Sequence, residues 1–184
     1  MKIFWLVLTV VFLLFSACKA QNKTRNFDWK EFVSDEGKFK ATFPFIPVKT
    51  VKEIDGGTGK IQTTRFEISL SEPEIYFGVL YADYPNAPTM NEDALRTNYD
   101  NVRDGFSKAG NGKLTSDRDV WANGKLGREI VFDFDNKTIV TYRTYLIGTR
   151  QFQVITSTKA SLIKDAEIKR SIDKFLNSFQ FVEK

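Results

Sequence analysis

The 184-residue chain contains no histidine. That absence removes the side chain most used to move protons near neutral pH and the commonest metal ligand. Serine–histidine–aspartate and cysteine–histidine machinery go with it, as do zinc sites built from cysteine and histidine. Cysteine is nearly absent too: Cys18 stands alone, so the chain makes no internal disulfide. A domain of this length buries about 70% of the surface its unfolded chain exposes and needs no such staple. A strong charge bias is also missing. The net charge is +4, from 27 basic and 23 acidic side chains. The bases alternate with acids, as in Lys164, Asp165, Glu167, Lys169, Arg170, Asp173 and Lys174, which reads as a solvated face and excludes a nucleic-acid stripe.

What is present begins with a 15-residue apolar run, Ile3 to Ala17, behind Lys2. A charged start followed by an apolar stretch is the pattern of an export signal over residues 1–17. As a helix the run rises about 22 Å against a hydrocarbon core of about 30 Å, so it is short for a membrane span. It ends in Phe15-Ser16-Ala17-Cys18, which resembles the bacterial lipobox, although Phe15 stands where that pattern prefers leucine. The resemblance implies acylation of the Cys18 thiol and cleavage just before it. Two other readings stay open: cleavage after Cys18-Lys19-Ala20, releasing a soluble secreted protein, and an uncleaved anchor. Residues 18–28 form a polar tether in which the eight residues Lys19 to Asn26 span at most about 27 Å, holding the domain of residues 29–184 near a bilayer.

Within that domain the pattern switches between periods of two and 3.6. Phe39, Ala41 and Phe43 alternate with lysine and threonine, and Pro44 and Pro47 stop the strand. Strands over residues 48–54 and 60–70 flank the turn Asp55-Gly56-Gly57-Thr58-Gly59. Along Glu74 to Ala82 both faces are apolar, as in an interior strand covered above and below. Four further strands, over residues 113–121, 125–135, 138–147 and 151–157, are joined by short reversals, of which Asn123-Gly124 is the type I′ dipeptide. A first helix is expected from Thr89 as N-cap, with Glu92 completing a capping box, to Gly110. Its core stripe is Leu95, Tyr99, Val102 and Phe106. A second helix over residues 163–177 aligns Ile168, Ile172, Phe175, Leu176 and Phe179, with Asp165 and Lys169 as an outer i,i+4 pair. The expectation is an α+β domain, a mainly antiparallel sheet of six or seven strands with one helix packed on each face, an α/β/α sandwich.

Phe39-Lys-Ala-Thr-Phe-Pro44, Tyr142-Arg-Thr-Tyr-Leu-Ile-Gly148 with Phe152-Gln-Val154, and Lys174-Phe-Leu-Asn-Ser-Phe179 carry a resemblance to the Mog1/PsbP-like fold. That fold includes bacterial lipoproteins related to the DcrB group. The resemblance spans about Phe32 to Phe181 and implies an accessory or assembly scaffold with no catalytic motif.

Asp133-Phe134-Asp135-Asn136 fails as a calcium loop, with Lys137 at the fifth position, no glycine at the sixth and no glutamate at the twelfth. Gly56-Gly57-Thr58-Gly59 lacks the lysine and strand-to-helix context of a phosphate loop. Arg128 and Arg143 are the candidate site residues, because alternation places each on an apolar face. Two guanidiniums suit an anion or ligand contact, and the competing reading is a strand-end cation whose head reaches water. The seventeen phenylalanines are assigned mostly to the core by their periodic placement. No catalytic, cofactor or metal residue is assigned. The expected function is a membrane-tethered, non-catalytic binding or accessory domain of a bacterial envelope, facing the periplasm or the exterior. Its expected partner is an envelope protein or small ligand. The alternatives are an envelope enzyme working through carboxylates, lysine or serine, and a purely structural protein.

Overall fold

The computed structural model describes residues 27–55, 60–84, 88–110 and 112–182. Cys18, the apolar run and most of the tether lie outside these residues, as does the glycine turn at 56–59. The elements are β1 (Lys30–Ser34), β2 (Phe39–Phe43), β3 (Val48–Asp55), β4 (Lys60–Ser71), β5 (Glu74–Asp83), α1 (Glu92–Gly110), β6 (Lys113–Ala122), β7 (Lys125–Phe134), β8 (Thr138–Ile147), β9 (Arg150–Lys159), α2 (Ala166–Ser178) and β10 (Gln180–Phe181). Seven strands form one antiparallel sheet in the order β3-β4-β5-β9-β8-β7-β6. β5 is interior, paired with β4 on one side and β9 on the other, in keeping with its two apolar faces.

One strand falls outside that sheet. β2 forms a separate three-stranded sheet in the order β1-β2-β10, where the sequence pattern had suggested a single sheet. Its alternation is real, since Phe39, Ala41 and Phe43 are buried. They bury against the phenylalanines of the large sheet rather than alongside its edge. β1 offers little hydrophobic periodicity, with Phe32 its one apolar residue packed on the core, beside buried Ser34, and β10 is two residues long.

The turns follow from backbone chemistry. Asn123 and Gly124 have φ of 47° and 71°, and Asp135 and Asn136 have 56° and 54°. Paired left-handed residues make two type I′ reversals whose twist matches the strands they join. Asp133 Oδ1 accepts the Asn136 amide at 2.9 Å, so that carboxylate braces its own turn.

Both helix starts differ from the expected ones. α1 is capped by Asn91, whose Oδ1 accepts the Ala94 amide at 2.9 Å, and not by Thr89. Asn91 stands immediately before the first helical residue, and a side-chain acceptor there reaches the third amide of the helix. α2 begins at Ala166 after a single 3-10 turn, Ala160–Leu162. Asp165 Oδ1 accepts the amides of Glu167 at 2.8 Å and Ile168 at 3.4 Å, so its carboxylate caps the helix.

Two apolar clusters result. The larger joins Phe39 and Phe43 of β2, Phe66, Phe77, Val79 and Val154 of the large sheet, and Ile168, Ile172, Phe175, Leu176 and Phe179. The smaller joins Val102 and Phe106 of α1 to Ile130, Phe132, Tyr142 and Ile155. Val154 belongs to the first and Ile155 to the second, so neighbouring residues of one strand serve different clusters, as strand alternation requires. Tyr99 pins α1 to the sheet: its hydroxyl donates to the Leu126 carbonyl at 3.1 Å and accepts the Leu146 amide at 3.0 Å. Burial pushes that phenol up to about 12. Among the described residues no helix is long and apolar enough to cross a membrane.

Candidate functional site

The two arginines singled out in the sequence do not meet. In the β7–β8 register Arg128 pairs with Thr144 and Glu129 with Arg143. Arg128 and Arg143 are therefore on opposite faces of the sheet. A joint anion site is ruled out by that parity, and each guanidinium is already served by acids or carbonyls of its own chain.

Arg128 faces α1. It grips Asp117 through two nitrogens, with Nη2 at 2.9 Å from Oδ2. It also reaches Asp119 Oδ1 at 2.8 Å and Asp100 Oδ1 at 3.1 Å. Arg103 adds contacts to Asp117 at 2.7 Å and Asp100 at 2.9 Å, and Arg96 joins Asp119 to Glu92. Burial works to raise the Asp117 pKa, but the hydrogen bonds from Arg128 and Arg103 outweigh it and hold the carboxyl below its ordinary value. Arg143 is buried on the other face. Its Nε donates to Glu129 Oε2 at 2.6 Å, Nη1 to the Leu176 carbonyl at 2.7 Å and Nη2 to Asn177 Oδ1 at 3.0 Å. The last two acceptors lie at the C-terminal end of α2, the negative pole of the helix dipole. Neither head therefore snorkels to water. Arg150 completes the group, with Nε and Nη2 on Asp83 at 2.6 and 2.7 Å, Nη1 on the Glu36 carbonyl at 2.8 Å, and its plane 4.5 Å above the Tyr81 ring.

Arg65 differs from all three, and composition gave no sign of it. It is 6% exposed, yet among the described residues its one bond is Nη1 to Glu67 Oε2 at 3.4 Å, and its buried Nε has no partner. The pairing places it in one transverse row with Leu80, Gln153, Thr144 and Arg128, on the face that α1 covers at its β7–β8 end. Two more buried polar atoms on this face lack a partner, the Tyr142 hydroxyl and Gln153 Oε1. Glu67 and Tyr76 border the group, half-buried, with the Tyr76 hydroxyl donating to Glu67 Oε2 at 2.8 Å. Between them Gly78 has no room for a side chain, since a Cβ there meets the Tyr76 ring at 2.7 Å.

Chemically this is a hydrogen-bonding surface. Burial raises the Tyr142 phenol far above its ordinary value, so at neutral pH the group is a neutral donor and acceptor, unsuited to act as a base. Thr144 accepts from Gln151 Nε2 at 3.2 Å. Among the described residues no three His, Cys, Asp or Glu side chains are grouped to hold a metal. In the sequence Arg65 is out of phase with Phe66, Ile68 and Leu70, the ordinary place for a solvent-facing cation, unlike Arg128 and Arg143, which alternation sets on apolar faces.

No family model matches the sequence, and no curated protein matches it. Among solved structures the chain is similar to cyanobacterial PsbP (CyanoP) from Synechocystis sp. PCC 6803. The TM-score is 0.57 at 10% sequence identity, over 91% of this chain and 98% of that one. At that identity the likeness concerns the backbone alone. The chain has the PsbP-like α+β fold, with antiparallel sheets and two helices.

Proposed function

We propose that the chain is an exported envelope lipoprotein, acylated at Cys18, whose domain binds a partner or small ligand without catalysing a reaction. One observation carries the non-catalytic part. The carboxylates best placed for acid–base work are consumed as ion-pair partners, Asp117 by Arg128 and Arg103 and Glu129 by Arg143 and Arg118. The Asp117 carboxylate, gripped by two guanidiniums and held below its ordinary value, is a poor proton acceptor. What stays open for recognition is the hydrogen-bonding group of Arg65, Tyr142 and Gln153. An α/β/α layering, with α1 and α2 over opposite faces, and kinship with lipoproteins of the DcrB group belong to the same reading.

The anchor part is supported by the order signal, Cys18, polar tether, and by the way the domain begins. Phe27 and Trp29 pack edge to face at 5.6 Å, Trp29 rests on Phe77 at 5.9 Å, and Lys174 Nζ lies 4.9 Å from the Trp29 ring. The chain thus joins its domain at a fixed point beside α2. Replacing Cys18 with Ser is expected to abolish both membrane fractionation and labelling with a radioactive fatty acid. Unchanged retention and labelling in that variant would overturn the anchor, and a start at Gln21 in the native protein would point to soluble secretion.

A further inference from the structure

We propose that the α1-side face of β4, β5, β9 and β8 seats a small oxyanion, a carboxylate or phosphate group, between Arg65, Tyr142 and Gln153. This rests on the reading of the domain as a binding module and names the chemistry of what it binds.

Four arginines of the large sheet provide the comparison. Side-chain exposure is 25% for Arg150, 17% for Arg128, 10% for Arg143 and 7% for Arg65. Hydrogen bonding runs the wrong way along that series. Arg150, Arg128 and Arg143 each engage all three guanidinium nitrogens, with contacts mostly between 2.6 and 3.0 Å. Arg65, the most buried, makes one contact at 3.4 Å, well beyond the 2.7–2.9 Å of a charge-assisted bond. Burying a cation without full pairing costs several kcal/mol, and the other three show that this fold pairs its guanidiniums closely. A planar fork with an unused Nε edge matches the two oxygens of a carboxylate or phosphate.

The neighbours fit the same ligand. Tyr142 is 1% exposed and Gln153 4%, and polar groups so buried are normally fully bonded. The Tyr142 hydroxyl and Gln153 Oε1 make no hydrogen bond of ordinary geometry, and the Thr144 and Gln153 side chains lie near enough to the phenol to favour its anion. Leu80 stands between Arg65 and Gln153 in the row. Arg65 and Gln153 thus share one face on strands two apart, about 10 Å between backbones. The Tyr142 phenol donates to an anionic oxygen. The Gln153 amide, turned about its last bond, offers its oxygen to a protonated ligand oxygen or its NH2 to a charged one. Glu67 meets only part of this need: its Oε2, which also accepts the Tyr76 hydroxyl, stands 3.4 Å from Arg65 Nη1 and leaves the Nε edge unbonded.

The test uses the full exported chain in detergent, 15N-labelled, titrated separately with sodium phosphate and sodium acetate at constant ionic strength set by sodium chloride. The Arg65 Nε–H resonance, assigned by its loss in Arg65→Lys, is expected to shift saturably with one or both anions. The corresponding resonance of the exposed Arg118 stays still. Tyr142→Phe removes one oxygen and keeps the ring, and is expected to weaken binding at least fivefold while the spectrum stays dispersed. Saturation by phosphate alone or acetate alone identifies which oxyanion the seat prefers. No saturation above chloride, an equal shift at Arg118, or unchanged affinity in Tyr142→Phe overturns the proposal. The outcome is independent of the anchor: loss of acylation at Cys18 with the titration intact removes the lipid reading alone.

Discussion

Arg143 and Glu129 face each other across β7 and β8, with Nε 2.6 Å from Oε2 and both side chains at most 10% exposed. Breaking such a pair from one side leaves a charge that cannot reach water. Glu129→Ala is expected to cost about 3–5 kcal/mol, measured by urea unfolding. The double replacement Glu129→Leu, Arg143→Met is expected to recover most of that loss, because desolvation of two charges nearly cancels their attraction. A double variant as unstable as the single one would show that Arg143 matters mainly through its bonds to Leu176 and Asn177.

Gly127 lies beneath the Tyr145 ring, and a Cβ there also approaches the Thr144 carbonyl to 2.7 Å. Backbone cannot swing aside, and Tyr145 is 1% exposed. Gly127→Ala is therefore expected to destabilise by about 1–3 kcal/mol. Gly78→Ala meets only the side chain of half-buried Tyr76 and is expected to cost less. Thermal melts of the two variants side by side check the order.

The Asp117 carboxyl titrates lower in the folded protein than its ordinary value of 3.8. A depressed acid contributes stability at pH values above the ordinary one, and the contribution is lost as pH falls through the folded value. Stability should hold through the neutral range and decline below about pH 4. Asp117→Asn should be less stable than the native chain at neutral pH and lose less on acidification. Urea midpoints at about pH 6 and about pH 3 test this, and equal declines would place the acid sensitivity elsewhere.

Asp165 holds two amides at the start of α2. Asp165→Ala is expected to cost about 1 kcal/mol, and Asp165→Ser to restore much of it, since a hydroxyl also caps. Chemical denaturation of both variants separates loss of a cap from loss of a charge.

Much of the large sheet was legible because its hairpins are short. The Asn123-Gly124 turn fixes the β6–β7 register, and with it Asp119 opposite Arg128 and Asp117 opposite Ile130. The partners of Arg128 were thus already implied by the turn that the sequence announces. Those of Arg143 were not, because Leu176 and Asn177 arrive from α2 across the core. The helix stripes around Phe106 and Phe175 were equally plain, as period 3.6 survives any arrangement of the helices. β2 went to the wrong sheet because alternation reports which residues face inward and not which strand lies alongside. Arg65 went unnoticed among polar residues of β4, since its want of partners is a property of three distant strands and leaves no local pattern.

The three-stranded sheet joins residues made far apart in time. Lys40 of β2 pairs with Val33 on one edge and with Gln180 on the other, and the Val182 amide donates to the Lys38 carbonyl at 3.0 Å. A chain growing from its N-terminus therefore carries β2 with one edge bare until residues 180–182 leave the ribosome. Until then the Phe39 and Phe43 rings lack the lid that Phe175 and Phe179 provide. Long-range closure of this kind slows folding and keeps the small sheet unfinished until the last residues of the domain have been made.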